Sequence, residues 1–156
     1  MNVEFFKNMV KKKVKEAAFK HLKELKDTHS KISDIKYSEL ECQPYILSSI
    51  FTNEDVNLLH SLRGRSVQCK GNFKSPYGDD ISCTLCTTGE ADDQPHILKC
   101  EKILENFSTV ELVKNKVKYD DIFGEPPEQK QVTVMFRKLL EIRKELLDKQ
   151  KETEDQ

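Results

Sequence analysis

The chain contains no tryptophan and has only five glycines and five prolines in 156 residues. A β-sandwich needs a turn roughly every ten residues, and such turns draw heavily on Gly and Pro, so this scarcity speaks against an all-β fold and for long helices. Long hydrophobic runs are also missing. No stretch approaches the roughly 20 apolar residues that cross a bilayer. The N-terminus meets Lys11, Lys12 and Lys13 before any long apolar segment, and no small-residue cleavage site follows, so no signal peptide is expected. The expectation is a soluble intracellular chain, cytoplasmic or nuclear, with no membrane partner. Excess charge of either sign is absent too. With 26 basic and 27 acidic residues the formal net charge is −1, so any binding to nucleic acid must come from a local patch.

What the chain does have is charge in quantity. Charged residues make up 34% and hydrophobic residues 37%, the balance expected of amphipathic helices around a thin core. The length suits one core with at most a small satellite. The charge is unevenly placed. The first 27 residues hold eight Lys against four acids, and His60 to Gly78 holds Arg63, Arg65, Lys70 and Lys74 with no acid. Acids gather later, at Asp79, Asp80, Glu90, Asp92, Asp93 and the C-terminal tail.

Apolar spacing predicts the helices. From Val3 to about Asp27, Phe6, Met9, Val10, Val14, Ala17, His21, Leu22 and Leu25 recur in steps of three and four, which makes one stripe against a lysine-rich face. His21, on that stripe, reads as packed core, and Lys11 to Lys13 as a solvated face. Ser38 to Phe51 reads as one helix or two short ones, with Pro44 in a first-turn position. Thr52-Asn-Glu-Asp55 resembles a capping box that opens a short helix through Val56, Leu59 and Leu62, and Gly64 ends it. Ser66 to Phe73 reads as an extended arm. His96 to about Phe107 reads as a helix, and Val110 to Val117 as another short one. After the breaker Gly124-Glu-Pro-Pro127, a long helix carries Val132, Met135, Phe136, Leu139, Leu140, Ile142, Leu146 and Leu147, and Lys149 to Gln156 is expected to fray.

Five cysteines is an odd number, and three fall in one window with a histidine: CTLCTTGEADDQPHILKC, or C-x2-C-x9-H-x3-C. Two Cys two residues apart approach one ion from a tight turn. A His and a Cys four apart on a helix share a face. In a reducing compartment the pattern points to metal rather than to disulfides. Cys83, Cys86, His96 and Cys100 are therefore expected to hold one structural zinc ion, with iron the less favoured occupant of a thiolate-rich site. The competing explanation is a set of free thiols packed in a small core. Cys42 and Cys69 lie outside the pattern and read as small buried residues.

Read together, LHSLRGRSVQCKGNFKSPYGDDISCTLC, DDQPHILKC and KVKYDDIFG resemble the C-terminal region of non-LTR retrotransposon reverse transcriptases, where an arginine-bearing leucine helix, an NF-containing linker and a CCHC zinc knuckle follow the polymerase and thumb. The resemblance runs from about Lys11 through the last helix, and its specific part is Arg63 to Cys100. It implies a nucleic-acid-handling accessory that engages RNA or DNA, with Cys83, Cys86, His96 and Cys100 as zinc ligands and Arg63, Arg65, Lys70, Asn72 and Lys74 as backbone contacts. From charge alone, Arg63, Arg65, Lys70 and Lys74, interleaved with Phe73 and Tyr77, could neutralise phosphates while an aromatic ring stacks on a base, or could simply be solvated surface.

Catalytic motifs are not in evidence. Tyr119-Asp120-Asp121 has Lys118 where a polymerase has its aromatic residue, and no strand pattern flanks it. No Ser/His/acid set or Gly-rich phosphate loop is present, so the chain is not expected to be an enzyme. The sequence thus predicts a mainly α, small helical domain with an embedded zinc knuckle, made of a short extended arm or hairpin plus a helix. Residues 1–65 form a helical region, 66–107 the basic arm and CCHC module, 108–148 the C-terminal helices and 149–156 a polar tail. The expected function is a zinc-stabilised nucleic-acid-binding accessory. The alternative is a zinc-stapled adaptor that works through the apolar stripe of the C-terminal helix, at Leu139 and Leu146.

Overall fold

A computed structural model describes residues 3–25, 28, 43–73, 78–108 and 116–154. The chain divides into two compact units, Met1–Gln43 and Pro44–Gln156. The first contains helix α1, Val3–Leu25. Lys12 and Lys13 pair with Glu16 at 4.0 and 3.7 Å, solvated i,i+4 and i,i+3 contacts worth only a few tenths of a kcal/mol each. No residue of α1 is buried. Phe6, Met9, Val10 and Val14 are exposed. His21 is exposed as well, against the expectation of a packed core.

The described part of the second unit is mainly α, in line with the composition. Its helices are α2 (Pro44–Leu47), α3 (Asn53–Arg63), α4 (Gln94–Ile97), α5 (Glu101–Leu104) and α6 (Pro126–Glu154), with 3₁₀ turns at Lys70–Asn72 and Tyr119–Phe123. Among the described residues the only β feature is an isolated antiparallel bridge, Ser82 to Ala91. Helix α3 starts where its capping box dictates: the Thr52 hydroxyl accepts from Asp55 N at 3.2 Å, and the Asp55 carboxylate accepts from Thr52 N at 2.9 Å. It ends at Gly64, whose N–H donates to the His60 carbonyl.

Helix α6 is the spine. Its Val132, Phe136 and Leu139 are fully buried against Leu59 and Leu62 of α3, Ile97, Ile103 and Ile122. The Tyr119 ring meets Phe136 edge-on at 6.3 Å. Asp55, wholly buried, joins α3 to α6 through ion pairs with Lys130 and Arg137. Burial would raise its carboxyl. The Lys130 ammonium, the Thr52 backbone and hydroxyl groups and the Arg137 guanidinium outweigh that, and hold it well below the usual carboxylate range.

Three sequence expectations are corrected. The helix expected over 96–107 is two single turns, because Cys100 leaves the helical region (φ −61°, ψ 115°) and starts α5 as its N-cap. The extended arm contains a 3₁₀ turn at Lys70–Asn72. Of the one helix or two short ones expected over 38–51, a short helix is seen at Pro44–Leu47 with Pro44 in its first turn, and residues 38–42 lie outside those described. The C-terminal tail does not fray at Lys149. Helix α6 continues to Glu154, because Gln150 Nε2 donates to the Thr84 carbonyl at 3.1 Å and ties the last turns to the cysteine loop. The helix expected over 110–117 and Cys42 lie largely or wholly outside the described residues.

Candidate metal centre

Residues 81–92 form a short hairpin closed by Cys83 N to the Glu90 carbonyl (2.9 Å) and Asp92 N to the Ile81 carbonyl (2.6 Å). Gly89, at φ 72°, takes the left-handed turn that brings the chain back. This places Cys83 on one side of the hairpin and Cys86 in its loop. Asp93 then caps α4 by accepting from His96 N at 2.8 Å, which fixes the backbone of the third candidate ligand. Cys100 follows at the break between α4 and α5.

The ligand atoms of Cys83, Cys86, His96 and Cys100 all lie within 4.8 Å of one another, and Cys86 Sγ stands 3.4 Å from His96 Nε2. Donors arranged tetrahedrally at about 2.3 Å from an ion are about 3.8 Å apart, so the four could hold a metal ion with small adjustment. Cys83, His96 and Cys100 are buried and Cys86 is half-buried. Burial pushes the Cys100 thiol up to about 12, the Ile103 N–H opposes this, and the neighbouring thiols reinforce it. The Thr88 hydroxyl, 3.0 Å from Cys86 Sγ, lowers that thiol to about 7.

One partner escaped the sequence reading. His96 Nδ1 lies 2.8 Å from the Glu90 carboxylate, so that Nδ1–H donates to Glu90 and Nε2 is left with its lone pair toward the thiols. The His96 bond holds the Glu90 carboxyl below its ordinary value. Lys99 Nζ, at 3.4 Å, steadies the same carboxylate. In the sequence Glu90 is one acid in a polar loop, and no spacing rule marks it.

The centre is clasped from two sides. Gly71 N donates to the Asp92 carbonyl at 2.8 Å, an approach that only glycine permits, since a Cβ there would lie 2.9 Å from that of Asp93. Arg143 of α6 donates to the Gln68 carbonyl (3.0 Å) and the buried Asp92 carboxylate (2.7 Å). Asp92 also accepts from Lys70 N at 3.1 Å.

Of the expected phosphate contacts Arg63 is buried, and Lys70 and Asn72 are half-buried. Arg63 is buried, its guanidinium 5.3 Å from the Tyr45 ring centre and 5.4 Å from that of Phe123. Lys70 Nζ donates to the Ser82 carbonyl at 2.8 Å. Asn72 Nδ2 donates to the Val67 carbonyl and to Gln94 Oε1, both at 2.8 Å. Arg63, Lys70 and Asn72 thus each make contacts within the fold. Arg65 and Phe73 are half-buried, and Lys74 and Tyr77 lie outside the described residues. Cys69 is fully buried, as expected, and burial raises its thiol to about 11. Asp121 caps its own 3₁₀ turn by accepting from Lys118 N at 2.7 Å.

Among the described residues no helix is long and apolar enough to cross a membrane. No family model matches the chain, nor does any curated protein or solved structure.

Proposed function

We propose that Cys83, Cys86, His96 and Cys100 bind one zinc ion, that this zinc is structural, and that the module it staples is a nucleic-acid-binding accessory derived from a retrotransposon reverse transcriptase. The observation that carries the reading is the four-donor cluster with Glu90 behind His96. Three thiols and an imidazole suit zinc over hard, oxygen-seeking cations. Four protein donors leave no coordination position for water or substrate, so the ion serves as a staple and not as a Lewis acid. The module positions RNA or DNA and does no chemistry on it.

The nucleic-acid part rests on the resemblance of Arg63 to Cys100 to the retroelement region. Arg63 is buried, whereas Arg65, Lys70, Asn72 and Phe73 are half-buried and keep part of their surface for a strand. The test is metal content together with binding of single-stranded RNA and DNA at about 50 and 200 mM salt. One zinc per chain, with binding that weakens as salt rises and is reduced by Arg65→Glu at unchanged zinc content, supports the reading. Zinc without any binding sinks the nucleic-acid part, and absence of zinc sinks the whole.

One observation favours a second reading, a protein-interaction adaptor: the exposed apolar side chains of α1, among them Phe6, Met9, Val10 and Val14. The C-terminal helix is the poorer adaptor surface, because its Leu139 lies in the core. Association abolished by Phe6→Glu with Val10→Glu would support this alternative.

A further inference from the structure

Beside the cysteine hairpin lies a cavity of about 180 Å³. Drug-sized ligands occupy roughly 300 Å³ or more, so this space suits a single ring system. Its apolar walls come from Ile81, Pro95 and the Tyr119 ring, and its polar groups from Arg65, Asn72 and Asp93.

The polar groups have a definite sense. Asn72 directs both amide protons inward, to Val67 and Gln94, and among the described residues no donor meets its Oδ1. Asp93 accepts from His96 N through Oδ1, and among the described residues no donor meets its Oδ2. Neither oxygen is sealed from solvent, since the only buried side-chain polar atom without a partner among the described residues is Gln129 Oε1. Asn72 is held in place by Gln94, whose own Nε2 donates to the Leu62 carbonyl (2.8 Å) and the Tyr119 hydroxyl (2.9 Å). A preformed pocket with two acceptors calls for a ligand that brings donors. At its edge sits Arg65, the one non-glycine residue with positive φ (49°) among those described. That left-handed backbone is strained for a residue with a side chain, the kind of local strain that tends to collect at working sites.

We propose that this cavity receives one unpaired nucleobase bearing an exocyclic amine, with the –NH₂ group donating to Asn72 Oδ1 and Asp93 Oδ2, the base face against Tyr119 and Pro95, and Arg65 beside the attached phosphate. Cytosine offers such an amine where uracil offers a carbonyl oxygen, and two acceptors facing that oxygen would repel it. The proposal rests on the nucleic-acid reading above.

The test uses the full, metal-loaded chain and single-stranded oligo-C and oligo-U of equal length at one salt concentration, which set the amine and bare N3 of cytosine against the carbonyl oxygen and N3–H of uracil. Oligo-C is expected to bind about tenfold more tightly, and Ala91→Phe, which fills the cavity from its wall, is expected to erase the difference without changing metal content. Ile81→Trp fills it from the other side and serves if the first variant is unfolded. Equal, salt-sensitive binding of both oligomers overturns the pocket and leaves the nucleic-acid reading standing. No binding of either overturns both.

Discussion

Glu90 touches no thiol, yet it decides which nitrogen of His96 is available to a metal. Replacing it with Gln weakens that hold and with Ala removes it, so Glu90→Ala is expected to lower metal affinity about 10- to 100-fold in a competition titration against a chelator, with the four donors intact. An unchanged affinity would mean that the Glu90 contact does not orient the ring. Asp55 acts at the same scale for stability. Asp55→Asn removes a buried carboxylate from two cations and half of a capping box, and is expected to cost about 2–4 kcal/mol in urea unfolding. The pH dependence follows from the sign of the shift. The folded-state value lies below the unfolded one, so the Asp55 contribution is fully present above about pH 4 and is lost as pH falls through the lower folded value. Stability of Asp55→Asn should therefore fall less than that of the native chain on acidification below pH 4. At this scale the sequence was legible wherever the signal was local. The four donors announce themselves by spacing, and Thr52 with Asp55 by a three-residue interval. Arg63 was not legible, because the rings that enclose it come from Tyr45 and Phe123, far away in the chain, and charge alone cannot distinguish a buried cation from an exposed one.

Between elements, Arg143 is the clearest hinge pin. It carries a charge from α6 to the buried Asp92 of the hairpin, and its fork reaches the Gln68 carbonyl as well. Among the described residues Arg143→Ala leaves the Asp92 carboxylate with the Lys70 backbone N–H alone, and it is expected to destabilise the unit by about 3 kcal/mol. Arg143→Lys should recover part of that, since a single ammonium cannot serve both acceptors. Thermal unfolding of the two variants measures this, and equal midpoints for Arg143→Ala and the native chain would refute the clasp. Periodicity located α3 and α6 because both carry long apolar faces. It failed at 96–107, where apolar residues continue in helical step while the backbone breaks at Cys100, and it stopped α6 too early, since the hold of Gln150 on Thr84 is a tertiary contact that no local pattern records.

For the molecule as a whole, the core draws on residues from Tyr45 to Leu139, so the cysteine module has no separate interior. Metal removal is accordingly expected to affect all of Pro44–Gln156: chelation should lower its unfolding midpoint by many degrees and broaden the transition, with zinc restoring both. Rebinding releases protons, because Cys100 sits at about 12 before an ion arrives, so affinity should fall as pH drops from roughly 8 to 6 and buffers of different ionisation heat should report the proton count. A midpoint indifferent to chelation would show that the apolar core alone suffices.

Helices α4 and α5 are four residues each, and the hairpin before them is joined by a single bridge. Pieces this short do not nucleate by themselves in water. On the reading proposed above, the region from Ile81 to Leu104 waits for an ion before it can take shape. The supply of free zinc then sets the rate at which newly made chains mature, and in a zinc-starved cell the chain would be met first by the machinery that clears unfinished proteins.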